Sequence, residues 1–226
     1  MKTAVLGTGM VGRALAARLH ELGHDVVVGT RDATATLSRP DTTVYGGAPF
    51  SVWAAEHPEI TVDGYAGAVA GAELVVNATS GAASLAALTA AGEDALADVI
   101  LLDIANPLDA SQGMPPTLFV KDTDSLAEQI QAAFPRTRVV KALNTLNAYL
   151  MVEPRRLADG DHTVFVSGDD TEAKRVVTDL LESFGHSDVI DLGDITTARG
   201  TEMLLPLWLR LYGTLGTPEF NIKVVR

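Results

Sequence analysis

A short apolar run at residues 3–6 leads directly into Gly7-Thr8-Gly9-Met10-Val11-Gly12, and a segment of helical character follows as far as Gly23. Three glycines at this spacing restrict what the chain can become. Gly7 permits a tight turn out of a strand, Gly9 leaves the backbone bare for a pyrophosphate, and Gly12 lets the following helix pack close to the strand. The helix, expected over residues 10–22, would point free N–H groups and the positive end of its dipole at the turn. The same glycines could serve a strand–helix turn and nothing more. The strand–turn–helix–strand setting is what turns the pattern into a dinucleotide-binding expectation.

Five more apolar runs follow, at residues 26–29, 60–62, 74–77, 99–103 and 139–142, separated largely by alanine-rich segments. Runs this short and continuous read as parallel strands covered on both faces. The expected fold is therefore α/β, a Rossmann-type, doubly wound and mostly parallel sheet. The stretch 31–59, with Pro40, Gly46, Gly47, Pro49 and Pro58, reads as an extended loop with one helical turn near 52–56. Alanine then almost disappears: 29 of 32 lie in residues 1–150, so the composition shift marks a boundary there. We expect a dinucleotide-binding domain over 1–150. A small C-terminal α/β domain over 151–226 would complete the cleft and offer a dimer interface. In it, strands at 162–167 and 189–192 flank a helix over 171–184, capped by Asp170 or Thr171. The last helix, 197–215, is apolar nearly all round except for Arg210. It is expected to be buried in a subunit interface or under a cofactor, and kinked by Pro206.

Composition excludes several functions. There is no cysteine, hence no disulfide framework, thiol nucleophile or zinc finger. With 17 basic against 29 acidic residues the net charge is −12, which argues against nucleic acid. The acids concentrate in residues 153–194, whereas residues 1–32 are near neutral. No apolar stretch reaches the ~18 residues of a membrane span. The N-terminal run is too short for a signal peptide and is interrupted by glycine. A soluble, cytoplasmic protein is expected.

The end of the second strand chooses the nucleotide. An NAD site places Asp or Glu there to hold the ribose hydroxyls; here the residues are Gly29-Thr30-Arg31-Asp32. A hydroxyl followed by a guanidinium suits the 2′-phosphate of NADP. Asp32 either pairs with Arg31 or reaches the ribose, and Arg31 could also be no more than a solvated surface residue. At the carboxyl ends of later strands stand Asn77-Ala78-Thr79-Ser80-Gly81, Asp103-Ile104-Ala105-Asn106-Pro107 and Asn144-Thr145. Short polar residues at three strand ends point to one crevice, although Asn106 before proline serves equally well as a turn residue. Lys141 is either a structural lysine or a general acid. The five histidines are scattered, Gly23 separates His20 from His24, and no metal site, catalytic triad or carboxylate pair emerges. A nicotinamide site without an acid–base pair suits hydride transfer to an acceptor that the enzyme need not protonate, such as a flavin-like ring.

The chain resembles the NADPH-dependent coenzyme F420 reductases, also called F420-dependent NADP oxidoreductases. The matching segments are VLGTGMVG, HDVVVGTR at 24–31, DIANPL at 103–108, VVKALNT at 139–145, VFVSGDD at 164–170, and TEMLLPLWL with FNIKVV at the end. The resemblance implies a Rossmann domain with a small C-terminal domain, usually as a homodimer, and a deazaflavin against the nicotinamide between them. It implies that Thr8, Gly9, Met10, Val11, Thr30 and Arg31 hold NADP. Ala142 and Asn144 would line the nicotinamide–deazaflavin region, with Leu207 near the ring. Hydride would pass directly between nicotinamide C4 and deazaflavin C5, so no catalytic acid or base is assigned. The chain departs from the pattern after Arg31, where Asp32-Ala33-Thr34-Ala35 replaces further basic residues, and in a long 33–60 segment. The leading expectation is hydride transfer between NADP(H) and F420. An NADPH-dependent reductase of flavins or other small molecules, and a non-catalytic NADP(H) sensor, are the alternatives.

Overall fold

The computed structural model describes residues 1–40 and 48–226. Its strands are β1 (Lys2–Leu6), β2 (Asp25–Thr30), β3 (Thr61–Gly64), β4 (Leu74–Asn77), β5 (Ile100–Asp103), β6 (Leu108–Asp109), β7 (Thr117–Leu118), β8 (Arg138–Ala142), β9 (Thr163–Ser167) and β10 (Asp188–Asp191). Eight of them form one sheet in the order β10-β9-β8-β5-β4-β1-β2-β3, while β6 and β7 make a separate hairpin that the sequence did not announce. All pairings in the large sheet are parallel except β8 with β9. The six expected strands of the first 150 residues are all present. The chain runs outward from β1 through β2 and β3, then returns to the other side of β1 as β4. That reversal, between β1 and β4, is where an open α/β sheet carries its ligand crevice.

Burial explains the apolar runs. β4 and β5 are buried along their whole length, and β1 and β8 everywhere but the first residue. Successive side chains leave opposite faces of a strand. Val5, Val76, Leu102 and Val140 thus join one apolar cluster, with Leu15 and Leu19 of the helix Met10–Glu21. Ala4, Leu6, Val75 and Leu101 join the cluster on the other face, with Leu88, Leu126 and Ile130. That first helix ends, as its sequence suggests, with Gly23 in the left-handed region at φ +83°.

The stretch after β2 differs from the expected loop. It holds two helices, Ala33–Ser38 and Phe50–Glu56, the first capped by Asp32, whose carboxylate accepts from Ala35 N at 2.9 Å. A six-residue helix carries too few apolar positions to announce itself, and its cap read equally well as a ribose ligand. Gly46 and Gly47, counted as loop glycines, lie outside the described residues.

In the last third, β9 and β10 extend the same sheet, flanking the helix Thr171–Phe184; Asp170 is its cap and Gly185 its left-handed end. The final helix is broken in two, Ala198–Met203 and Leu205–Leu215, with Pro206 in the first turn of the second. Its expected burial is not met within the chain: Leu205 is the one buried residue of the second segment, and Leu207, Tyr212 and Leu215 are exposed. An all-round apolar sequence says that a helix is to be covered, without saying that its own chain does the covering.

Candidate active site

The crevice begins at the glycine turn. Gly7 has φ +124°, and a Cβ on it would lie 2.5 Å from the Ala78 carbonyl oxygen, so neither its conformation nor its surroundings admit another residue. A Cβ on Gly12 would run into the Gly7 carbonyl, whereas a Cβ on Gly9 would meet nothing within 4 Å. Two glycines are therefore required by close packing, and the one between them faces open space. This is the cradle that a pyrophosphate needs. No side chain caps the helix Met10–Glu21, which leaves the N–H groups of its first turn for an anion. Arg13 braces the turn from within, donating from Nε to the Thr8 carbonyl at 3.0 Å and from Nη1 to the Ala48 carbonyl at 2.7 Å.

At the end of β2, Thr30 is buried and its hydroxyl is 2.9 Å from that of Thr36. Arg31 is exposed, and Asp32 neither pairs with it nor turns to the crevice, being spent on the helix cap. The residues after Arg31 are less bare of cations than the sequence implies: Arg39 reaches back to the Thr36 hydroxyl, Nη2 to Oγ1, at 3.2 Å. Its distance along the chain from Arg31 hid it; only the turn of the helix Ala33–Ser38 brings the two guanidinium-bearing residues to one strand end.

The ends of β4, β5 and β8 form a connected polar layer. Thr79 donates its hydroxyl to Asn77 Oδ1 at 2.7 Å, and Asn77 Nδ2 donates to Asp103 Oδ1 at 2.7 Å and to Ser84 Oγ at 3.0 Å. Asn106 and Asn144 are joined twice: Asn106 Nδ2 donates to the Asn144 carbonyl at 2.9 Å, and Asn144 Nδ2 donates to Asn106 Oδ1 at 3.0 Å. Asn106 is thus a cross-strand partner rather than only a turn residue. Asn144 Nδ2 also donates to the Thr201 carbonyl at 3.0 Å, tying the layer to the last helices. Between Ala142 and Asn144 the buried Leu143 has φ +60°, a conformation that costs a non-glycine residue about 1–3 kcal/mol and clusters at functional sites.

Beneath this layer lies Lys141, 1% exposed. Its ammonium donates to Asp103 Oδ2 at 2.8 Å and to the Ala105 carbonyl at 2.5 Å, and meets Glu202 Oε1 at 2.9 Å. Burial works against its charge, but Asp103 and Glu202 outweigh it and hold the ammonium above the ordinary lysine range. With all three N–H bonds engaged inside the protein, Lys141 is structural, and the general-acid alternative falls. Glu202 is the residue the sequence reading missed. It also accepts from Leu126 N at 2.8 Å and Ala127 N at 3.1 Å, at the start of the helix Leu126–Ala133. Nothing in the local sequence marks it, because its partners Lys141, Leu126 and Ala127 are more than 60 residues away. Among the described residues no group of three or more His, Asp or Glu could hold a metal. No helix among them is long and apolar enough to cross a membrane.

The structure thus brings Gly7 and Ala78 into contact distance, joins Asn106 to Asn144, and sets Thr30 and Arg31 across β1 from them. Leu207 stands apart, 52% exposed on the helix Leu205–Leu215.

Comparison with known proteins agrees with this geometry. Residues 2–107 match the model of the family described as NADP oxidoreductase, coenzyme F420-dependent. An F420-dependent NADP reductase of Methanothermobacter thermautotrophicus is 30% identical over 217 residues, covering 93% of this chain and 89% of that protein. Metalloreductase STEAP3 of Rattus norvegicus is 31% identical over 212 residues, covering 92% of this chain, which spans only 38% of that larger protein. The crystal structure of a candidate F420-dependent NADP-reductase from Arthrobacter sp. FB24 is 62% identical, superposes with a TM-score of 0.96 and covers the whole of both chains. The chain belongs to the F420-dependent NADP reductase family.

Proposed function

We propose that this chain transfers hydride between NADP(H) and coenzyme F420. The observation that carries the reading is the glycine turn, packed shut at Gly7 and Gly12 and open at Gly9, in a chain of this family. Thr8, Gly9, Met10 and Val11 would present backbone to the pyrophosphate, and Thr30 with Arg31 would take the adenosine 2′-phosphate. Ala78, Thr79, Asn106, Ala142 and Asn144 would line the nicotinamide end, where the bonded asparagine pair keeps the two loops in register. When bound, the cofactors supply the hydride donor and acceptor, and the protein's task is to hold the reacting atoms about 3–3.5 Å apart.

The division of labour goes with this reading. Residues 1–150 form the NADP-binding part, and 151–226 form the part that completes the cleft, with Leu207, exposed in the single chain, left to meet the deazaflavin. A homodimer is supported by the exposed apolar residues Leu207, Tyr212 and Leu215 on one short helix, since a second copy would cover them. The cytoplasm, where NADP(H) is drawn upon, is the matching location. The test is NADPH oxidation followed by absorbance: adding F420 should accelerate it. No turnover with F420, alongside turnover with FMN or a ferric chelate, would replace this reading with that of a general reductase.

A further inference from the structure

The cluster beneath the strand ends holds one charge too many. Asp103 ends β5, Lys141 lies opposite it on β8, and Glu202 enters from the helix Ala198–Met203. All three are buried to within 2% of full burial. Asp103 Oδ1 accepts from Asn77 Nδ2 and Ala105 N, and Oδ2 from Lys141. Glu202 Oε1 faces Lys141 and Ala127 N, and Oε2 accepts from Leu126 N. Every carboxylate oxygen therefore meets an N–H donor. Two carboxylates share one ammonium. The start of the helix Leu126–Ala133 offsets about half a charge, so a net negative charge remains inside the protein.

Its position matters. The glycine turn puts the pyrophosphate at β1, with the adenosine end over β2. The nicotinamide then falls over β4, β5 and β8, the strands whose ends the cluster underlies. Asn77 links Asp103 to Thr79 on the surface of that crevice, and Lys141 directly precedes Ala142. The nicotinamide ring carries a positive charge when oxidised and none when reduced, while the phosphates are the same in both forms. A fixed charge in a low-dielectric interior acts across several ångströms.

We propose that the surplus carboxylate of the Asp103–Lys141–Glu202 cluster tunes the bound nicotinamide, favouring its oxidised form and so hydride donation by NADPH. The proposal rests on the NADP(H) reading above and adds a role for residues that touch neither cofactor; they act as positioning charges. A single Asp–Lys pair would tie β5 to β8 equally well without leaving a net charge, and the second carboxylate comes from a separate part of the chain.

The experiment is a pair of binding titrations, NADP+ and NADPH, by quenching of intrinsic fluorescence or calorimetry on the whole protein, with wild type, Glu202→Gln and Asp103→Asn. Each variant removes one negative charge from a different element. The ratio Kd(NADP+)/Kd(NADPH) is expected to rise roughly threefold to tenfold in both. The ratio is taken on one sample, so partial unfolding of a variant affects both titrations alike, and either variant suffices should the other fail to fold. If both affinities fall together with the ratio unchanged, the cluster is a structural tie and the proposal is overturned. It is equally overturned if the ratio moves in opposite directions in the two variants. Wild-type protein that binds neither nucleotide would instead overturn the NADP(H) reading itself.

Discussion

Where β2 ends, the groups suited to an anion stand in solvent: Arg31 and Arg39 are exposed, and only the Thr30–Thr36 hydroxyl pair is buried. Where β4, β5 and β8 end, the polar side chains are bonded to one another in a chain from the half-buried Thr79 through the buried Asn77 and Asp103 to Lys141 and Glu202. The phosphate end needs donors that can turn to the ligand when it arrives, and exposed guanidinium groups in water cost little to keep available. The ring end needs fixed walls and a fixed field, which require side chains whose partners are already inside the protein. Substitutions in the first region should therefore act on binding, and substitutions in the second on stability as well.

The largest expected effect is in the buried region. Lys141→Met leaves two carboxylates without their cation and should cost about 3–5 kcal/mol of stability, read from the midpoint of urea unfolding. A loss below about 1 kcal/mol would mean that the cluster is not as tightly bound as its distances imply.

Acid should weaken the same side of the sheet next. His186, beside His162, is held down to about 4, chiefly by burial and further by His162, against the Met151 carbonyl that accepts from it. Between that value and its ordinary 6.5, the unfolded chain binds a proton that the folded chain refuses. Stability therefore falls as pH drops from about 6.5 toward 4, by roughly 3 kcal/mol in all. In His186→Gln this slope should flatten in thermal melts taken across that range.

In the exposed region the effects are smaller and of another kind. Arg31→Ala should weaken NADPH by about 1–3 kcal/mol, leave NADH nearly unchanged, and move stability by no more than about 0.5 kcal/mol. An equal effect on both nucleotides would remove the 2′-phosphate role. Arg39→Ala should discriminate in the same direction but by only about 0.5–1 kcal/mol, as suits an exposed charge in high dielectric. If it matched Arg31→Ala, the two guanidinium groups would have to be read as one clamp.

The same contrast explains what was legible beforehand. The six strands, the glycine turn and the capped helix Thr171–Phe184 rest on local patterns, such as a continuous apolar run or a glycine followed by a helix start, and those patterns are written in consecutive residues. Thr79, Asn106 and Asn144 were visible because polar residues at strand ends stand out against apolar runs. Glu202 was not, because an isolated acid in a helical segment looks like any surface acid until the fold brings it to Lys141. Arg39 was hidden by the helix Ala33–Ser38, which is too short to announce itself. What covers the segment Leu205–Leu215 was not legible for a related reason. Its apolarity is local, whereas what covers it depends on the assembly.

In the proposed reaction hydride passes directly between two cofactors held by the protein, with no acid or base of its own taking part. Reduction of F420 with NADPH deuterated at nicotinamide C4 tests it, with the product examined by mass spectrometry and NMR. Deuterium should appear at C5 of the reduced deazaflavin from one of the two C4-labelled epimers, and none should be lost to water. Hydrogen from solvent at C5 would contradict the claim and require a protein acid or base, which the buried and fully bonded Lys141 does not supply.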